Sequence, residues 1–233
     1  MKPALVVALV LAVVAGRWQG SEPATESNTR PPSGWGRLRI GPLLRAPRRR
    51  AALAALLGGQ VAMVLVMTMT PLHIHAGGGD LVLVGLVISA HTLGMFALSP
   101  VSARLVSRRG AMPVALGGMA VIVTSVVLAA AAPPHAGPLL ALALFLLGFG
   151  WNLCFVAGSA MLVEGGPSAA QTAHQGAADF LVFLAAAVAS IGSGALFAAA
   201  GFAAMSLVAG VLLIVPALVI VRERYRSGEP ARA

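Results

Sequence analysis

Charged and aromatic residues are scarce in this sequence. Of its 233 residues, 10% are charged and 5% are aromatic, whereas 58% are hydrophobic, and the mean hydropathy is +0.91. A water-soluble globule of this length needs more polar side chains to cover its surface. The composition therefore excludes a soluble protein and indicates that the chain lies in a lipid bilayer.

Cysteine and metal-binding side chains are also sparse. The single cysteine, Cys154, lies within an apolar stretch, so the chain has no intramolecular disulfide. His73 and His75 form an H-x-H pair, and Asp80 is the nearest residue that supplies a third ligand. Such a group, without a further cysteine or histidine close by, is weak support for a metal site. We therefore expect neither a metal nor a cofactor.

Nucleic acid is excluded as a partner despite the net charge of +9. The 16 lysines and arginines lie between apolar stretches and do not alternate with aromatic residues on one face. This arrangement is typical of the charges that orient a membrane protein.

Six apolar stretches are long enough to cross the hydrocarbon core as helices, which takes about 20 residues each. They cover residues 51–71, 81–102, 112–132, 138–162, 173–199 and 202–221. Strands of a membrane barrel alternate apolar and polar residues over about ten positions. By contrast, LVLVGLVISA (81–90) and GVLLIVPALVIV (210–221) are apolar on every face. The pattern predicts an all-α membrane protein.

The positions of the cations predict how these helices are oriented. Residues 17–50 hold eight arginines, 103–111 hold three, and four more follow the last apolar stretch. The turns without any lysine or arginine are 72–80, 133–137 and 200–201. Because cytoplasmic loops of membrane proteins carry the excess of lysine and arginine, we expect the Arg-rich loops and the tail in the cytoplasm of a multi-pass plasma-membrane protein.

A seventh apolar stretch, PALVVALVLAVVAG at 3–16, is short for a full crossing. Read as a transmembrane segment, it puts fifteen of the 16 cations on one side of the membrane. The alternative is a secretory signal, with Lys2 as its charged region and a small-residue cleavage site near Ala15. Cleavage there would place the eight arginines of 17–50 on the translocated side. We therefore favour a short transmembrane helix over residues 1–16.

Residues 17–50 are predicted to be an Arg-rich cytoplasmic linker, because Pro, Gly, Ser, Thr and Arg follow one another there without apolar periodicity. Two interpretations of its last part, LRIGPLLRAPRRR (38–50), stay open. It forms either a short interfacial helix that lays Leu43 and Leu44 against acyl chains while its arginines meet anionic headgroups, or a solvated loop.

The segment VGLVISAHTLGMFALSPVSARLVSRRG (84–110) resembles the second helix and following loop that are a signature of the major facilitator superfamily. The family pattern reads Gly-x-x-x-Asp-Arg-x-Gly-Arg, and Arg108 and Gly110 match it. The other three pattern positions, the first Gly, the Asp and the final Arg, are occupied here by Ala103, Ser107 and Ala111. PSAAQTAHQGAAD (167–179) is also similar to the family's loop before its eleventh helix.

This resemblance implies the carboxy-terminal half of such a transporter. Residues 51–222 would form its six-helix bundle, 17–50 the loop between halves, 1–16 a remnant of the preceding helix and 223–233 a cytoplasmic tail. The implied function is secondary transport of small molecules, proton-coupled and exporting by family habit. Because one half cannot enclose a cavity from both sides, its partner would be the missing amino-terminal half or a dimer mate.

Polar residues inside the spans are candidates for substrate binding or coupling, because such residues are costly in a bilayer. Gln60, His91 and Asn152 fall near mid-depth on three different helices, at the level of the family's substrate cavity. If their faces converge, they make a hydrogen-bonding site. His91 either couples protonation to conformation or is a neutral histidine that bonds a neighbouring helix.

Asp179 and Gln175 form a second candidate pair, because a spacing of four residues puts them on one face of a helix. Asp179 either couples a proton or cation near the cytoplasmic mouth, or pairs with loop arginines or with a helix amino end. Both interpretations place this face against protein or water and not against lipid.

The resemblance also assigns Arg104, Ser107, Arg108 and Gly110 to the loop that holds the family's cytoplasmic gate. With Ser107 in place of the family's aspartate, Glu164 is the acid expected to contact Arg104 or Arg108. An ion pair at this interface contributes about 0 to 1 kcal/mol to folding. Gly110 is expected to end its helix in a left-handed conformation.

A second kind of function stays open at this point, namely a non-transporting membrane remnant or an assembly or regulatory subunit. An intramembrane hydrolase is a distant third interpretation, because Ser159 lacks the Gly-x-Ser-x-Gly setting and no His–Asp pairing accompanies it. The chain is therefore not expected to be an enzyme.

The predicted topology places the 72–80 turn outside the cell and the tail inside. A cysteine introduced at His75 is expected to react with a membrane-impermeant maleimide in intact cells, and one at Ser227 only after permeabilisation. Cys154, within an apolar stretch, serves as the unlabelled background. Labelling of both introduced cysteines from the same side would contradict the topology and the carrier-half interpretation with it.

Overall fold

The computed structural model describes residues 40–164 and 168–227. Its helices, in chain order, are α1 (Ile40–Arg45), α2 (Pro47–Ala76), α3 (Leu81–Phe96), α4 (Ser99–Arg109), α5 (Ala111–Ala131), α6 (Gly137–Val163), α7 (Ser168–Leu212) and α8 (Ile214–Arg226). The predicted amino-terminal segment, most of the predicted linker and the end of the tail lie outside the described residues.

Among the described residues, five helical stretches are long and apolar enough to cross a membrane. They are Pro47–Ala76, Leu81–Arg109, Ala111–Ala131, Gly137–Val163 and Gln171–Arg226. The last stretch holds two crossings, because the chain reverses at Gly201, whose φ of 77° is a conformation that residues with a Cβ rarely adopt. The six predicted apolar stretches are thus helices, and the all-α membrane fold is confirmed.

The two ends of the bundle differ in the groups they bring together. At one end, which we call the turn end, the ring of His73 stacks on Phe202 with centroids 4.1 Å apart. At the other, the arginine end, Arg48 pairs with Glu164 at 2.6 Å. The turns without cations therefore lie at one end of the bundle and the Arg-rich segments at the other, as the alternation in the sequence predicted.

Local signals in the sequence set several helix ends. Asp80 begins α3 by accepting a hydrogen bond from the backbone nitrogen of Leu83 at 2.8 Å. Pro47 lies in the first turn of α2, where a missing N–H costs nothing. Gly110 separates α4 from α5 with φ 86° and ψ 159°, so its φ is positive as predicted but its ψ is extended and not left-handed helical. These ends make the turns between helices short.

The predicted 81–102 helix is interrupted, which is a difference from the sequence analysis. α3 ends at Phe96 and α4 begins at Ser99. Pro100 has no N–H to donate to the carbonyl oxygen of Phe96, four residues earlier, and its ring crowds that carbonyl. The apolar run continues across this break, so hydropathy alone did not reveal it.

α1 corresponds to the interfacial-helix interpretation of the linker's last part, with one correction. Leu43 is fully buried in protein and does not lie against lipid, whereas Leu44 is 53% exposed. α2 then begins at Pro47, four residues before the predicted start of its apolar stretch. The arginines of its first turn therefore belong to the bundle and not to a separate linker.

α6 lies at the centre of the bundle and approaches its neighbours most closely at glycines. A Cβ added at Gly94 of α3 would overlap the carbonyl oxygen of Phe145, and one at Gly148 would overlap the carbonyl oxygen of His91. Lipid tails are as apolar as leucine, so helices in a bilayer associate through such close packing. The two glycines therefore fix how α3 sits on α6.

We expect Gly94→Ala to lower the free energy of unfolding by about 1 to 3 kcal/mol, because the new methyl group must push α3 away from a backbone carbonyl. Gly85→Ala is the matched control on the same helix, since no atom lies within 4 Å of its added Cβ. Thermal unfolding of the purified chain in detergent measures both. Equal stability of the two variants would contradict the close approach.

Candidate functional site

Asn152 of α6 connects the two sides of the break between α3 and α4. Its Nδ2 donates to the carbonyl oxygen of Met95 at 2.7 Å and to the Oγ of Ser99 at 3.0 Å. Its Oδ1 accepts a hydrogen bond from the Oγ of Ser102. Met95 belongs to the last turn of α3, whereas Ser99 and Ser102 belong to α4. We call these four residues the Asn152 clamp.

The clamp supplies hydrogen-bond partners to polar groups that lack them at the break between α3 and α4. Carbonyls in the last turn of a helix have no intrahelical amide partner, and an unsatisfied backbone group costs several kcal/mol in hydrocarbon. Asn152 is 3% exposed and Ser102 is fully buried, so water does not take over these bonds. Asn152 was predicted from the sequence, whereas Ser99 and Ser102 were not, although the Ser-Pro pair within an apolar run was an available signal.

His91 lies between α3 and α6 and is 1% exposed. Its Nδ1 is 2.9 Å from the carbonyl oxygen of Leu144. Because a carbonyl oxygen only accepts hydrogen bonds, Nδ1 carries the hydrogen. Nε2 has no hydrogen-bond partner among the described residues. The ring therefore bonds a neighbouring helix, as one of the two interpretations held, and Nε2 is the atom left for a second proton.

Gln60 of α2 takes part in a different group near the middle of the bundle. The Nε1 of Trp151 donates to its Oε1 at 2.8 Å, and Trp151 stacks on Phe155 with ring centroids 5.0 Å apart. Phe155 is 36% exposed, while Gln60 and Trp151 are half-buried. We call these three residues the aromatic cluster. Its exposed edge presents flat rings beside one amide.

Trp151 and Phe155 were not among the residues predicted from the sequence. Tryptophan in membrane proteins is enriched at the water interface, yet Trp151 lies near the middle of α6. A tryptophan at mid-span was therefore a signal that its N–H has a partner inside the protein.

The structure does not bring Gln60, His91 and Asn152 into one hydrogen-bonded group, so the condition for a joint site is not met. Trp151 and Asn152 are consecutive on α6, so their side chains leave the helix about 100° apart and reach α2 and α3–α4 respectively. His91 bonds the backbone of α6 at Leu144, about two turns from Asn152. Each of the three residues attaches a different part of the bundle to α6.

Asp179 and Gln175 do lie on one face of α7, as their spacing predicted. The Nε2 of Gln175 donates to the Oδ1 of Asp179 at 2.9 Å, and both side chains are half-buried. Within the part of the chain that the structure describes, the carboxylate of Asp179 forms no salt bridge with an arginine. Glutamine is thus its observed partner on α7.

Glu164 pairs with Arg48, and not with Arg104 or Arg108 as expected. The Nε of Arg48 donates to the Oε2 of Glu164 at 2.7 Å. The reason is that α2 begins early enough to put Arg48 on a turn that packs beside the end of α6. Arg104 and Arg108 of α4 are exposed, and the Oγ of Ser107 donates to the carbonyl oxygen of Arg104 at 2.9 Å.

A second ion pair at the arginine end was not anticipated. The Nε of Arg50 donates to the Oε1 of Glu223 at 3.0 Å, and the side chain of Glu223 is 4% exposed. Removing one partner of a buried pair costs about 3 to 5 kcal/mol, whereas an exposed pair is worth about 0 to 1 kcal/mol. The Arg50–Glu223 pair therefore matters more to folding than Arg48–Glu164, whose side chains are 34% and 56% exposed.

The H-x-H pair takes part in packing at the turn end. His73 stacks on Phe202, and its Nε2 lies 3.4 Å from the carbonyl oxygen of Ala132. Asp80 is engaged as the cap of α3. Over residues 40–164 and 168–227, no three His, Cys, Asp or Glu side chains are grouped so that they could hold a metal ion.

Comparisons with known proteins point in one direction. A family model described as the Major Facilitator Superfamily matches residues 4–190. The chain is 38% identical over 167 residues to the uncharacterized MFS-type transporter YdeG of Bacillus subtilis (strain 168), covering 71% of this chain and 39% of that protein. It is 34% identical over 162 residues to YddS, an uncharacterized MFS-type transporter of the same strain, covering 69% and 37%.

The riboflavin transporter RfnT of Brucella anthropi is also similar, at 32% identity over 163 residues, which covers 70% of this chain and 40% of that protein. The chain thus spans about two fifths of the length of these curated relatives.

Replacement of Asn152 by leucine is expected to lower the free energy of unfolding by about 1 to 3 kcal/mol, because it leaves the Met95 carbonyl without this partner in hydrocarbon. Ser102→Ala removes one bond of the clamp and is expected to cost less. Thr124→Val is the control, since this exposed hydroxyl bonds only the Ala120 carbonyl of its own helix. Unfolding in mixed detergent micelles ranks the three, and a neutral Asn152→Leu would rule out the clamp.

Proposed function

Because the chain belongs to the Major Facilitator Superfamily, we propose that its bundle is one half of a secondary transporter of small molecules. This half comprises the predicted bundle 51–222, extended by the first turn of α2 and by the last turn of α8, and the residues before α2 link it to the segment 1–16. A second half, either the amino-terminal half or a dimer mate, completes the carrier. The observation that carries the proposal is the aromatic cluster, a partly exposed group of polar and flat side chains at mid-depth.

In this proposal the second half covers the exposed faces of α3 and of the first part of α7. Leu81 of α3 is 82% exposed, and Phe183 and Ile191 of α7 are 72% and 80% exposed. α3 also exposes Ser89 and Thr92 near the level of His91. Small and hydroxyl-bearing residues at mid-span favour contact with another helix over contact with lipid. The length of the relatives, about two and a half times the matched segment, supports the same arrangement.

The substrate class follows from the cluster's chemistry. Two stacked rings and one amide suit a small amphipathic molecule with a planar ring, which stacks on Phe155 and exchanges hydrogen bonds with Gln60. The relative RfnT is named as a riboflavin transporter. Planar amphipathic molecules, with riboflavin among them, are therefore the first substrates to test.

His91 and Asp179 supply proton coupling in this proposal. Nε2 of His91 is the buried atom free to take a proton at the contact between α3 and α6. A charge there must be stabilised by moving α3 relative to α6, which is the kind of rearrangement that alternating access needs. Asp179, half-buried with Gln175, accepts or releases the proton closer to the arginine end.

The arginine end faces the cytoplasm, and the protein lies in the plasma membrane. Arg104, Arg108 and the other exposed arginines at this end support that orientation through the positive-inside rule. In this orientation, the loop with Ser107 and Gly110 lies at the cytoplasmic gate, and the Arg48–Glu164 pair lies at the same end of the bundle. Export from the cytoplasm is the proposed direction.

The experiment that tests this function exchanges the matched segment of RfnT for that of this chain. We expect the chimera, but not the chain alone, to transport riboflavin in proteoliposomes that carry a proton gradient. His91→Ala and Asp179→Asn in the chimera are each expected to lower the proton-driven flux at least about tenfold, because each removes a coupling group.

His135→Gln is the control, since His135 is exposed in a turn. Unchanged flux in both coupling variants would assign His91 and Asp179 to structure alone. A chimera that inserts and folds like RfnT but moves no riboflavin would favour the non-transporting subunit.

A further inference from the structure

An apolar groove runs along the outside of the bundle and ends among arginines. Its first part, of about 500 Å³, lies between α2 and α8 and is closed at one end by Leu44 of α1. A second cavity of about 450 Å³ continues it between α2 and both parts of α7. The two share Leu57, Val61 and Leu212. None of these residues takes part in the aromatic cluster or the Asn152 clamp.

The length of the first cavity matches one leaflet of a bilayer. Along α2 it is lined from Arg50 to Val61, which at 1.5 Å per residue is about 17 Å. Half of the hydrocarbon core is about 15 Å. Apart from Arg50, its lining side chains are apolar. The cavity therefore has the dimensions and the chemistry of a slot for one acyl chain.

The mouth of the groove is cationic. On α8, Val215 and Val219 line the cavity, and Arg222 and Arg226 continue the same face at spacings of three and four residues. Both arginines are exposed, as is Arg45, which follows Leu44 at the end of the cavity. The wall of the slot thus leads directly into three guanidinium groups at the depth of the headgroups.

The acid nearest to this mouth does not neutralise these arginines. Glu223 is 3% exposed, and its Oε1 is held by Arg50. The remaining described carboxylates are Asp80 at the turn end, Glu164 paired with Arg48, and Asp179 bonded to Gln175. A ligand that brings a negative charge to Arg222 and Arg226 is therefore complementary to this surface.

We propose that the groove is a binding site for a phospholipid with an anionic headgroup. One acyl chain lies between α2 and α8, and the phosphate group contacts Arg222 and Arg226, with Arg45 on the opposite side. Arginine recognises phosphate oxygens through paired N–H donors, and the apolar slot excludes water from the chain. The site is separate from the proposed transport site and stands whether or not the chain transports.

The test is native mass spectrometry of the purified full chain, released from micelles that contain equal amounts of phosphatidylglycerol and phosphatidylcholine with the same acyl chains. We expect phosphatidylglycerol to be retained at least about fivefold more than phosphatidylcholine, since each surface arginine favours an anionic lipid by about that factor. The double variant Arg222→Gln/Arg226→Gln is expected to abolish this preference.

The matched control is Arg108→Gln/Arg109→Gln, which removes two exposed arginines from α4 at the same end of the bundle and is expected to keep the preference. Val215→Trp fills the slot from a 67% exposed position and is expected to reduce the retention of both lipids. Equal retention of the two lipids by the unaltered chain, an equal loss in both arginine variants, or full retention by Val215→Trp would each overturn the proposal.

Discussion

The close approach of α6 to its neighbours is the constraint on which the rest of the bundle depends. In a bilayer, moving apolar side chains out of contact with lipid gives no hydrophobic free energy. The helices are therefore held together by close packing and by hydrogen bonds between them. Glycines at the contact of α3 with α6 let backbone meet backbone. Once this distance is fixed, the Leu144 carbonyl reaches His91, and Asn152 reaches the break after Met95. The polar contacts of the site are thus consequences of the packing.

The spans themselves were predictable from the sequence, because length and hydropathy are set by the thickness of the bilayer and not by tertiary contacts. The alternation of cationic and uncharged turns likewise predicted which ends lie together. Two helix boundaries could not be predicted in this way. The break before Ser99 interrupts hydrogen bonds without interrupting hydropathy, and the start of α2 at Pro47 lies among arginines that hydropathy counts as linker.

The depth of each candidate residue along its helix could be predicted from the sequence, but which of these residues contact one another could not. Depth along a helix follows from counting residues, so Gln60 and Asn152 were placed correctly near mid-span. Direction around a helix depends on how each helix is rotated in the bundle, and the apolar faces of these spans give no preferred rotation. For the same reason, the predicted partner of Glu164 was wrong, because Glu164 and the arginines lie on different helices. The contact between Gln175 and Asp179 could be predicted, because both lie on one helix and their relative direction follows from their spacing.

Gly201 links the last two crossings without any intervening loop, and no charged residue occurs between Asp179 and Arg222. The tip of this hairpin therefore brings no charged group across the bilayer when the protein is inserted. The tightness of this uncharged tip depends on a single backbone conformation, at a position where a residue with a Cβ would be strained.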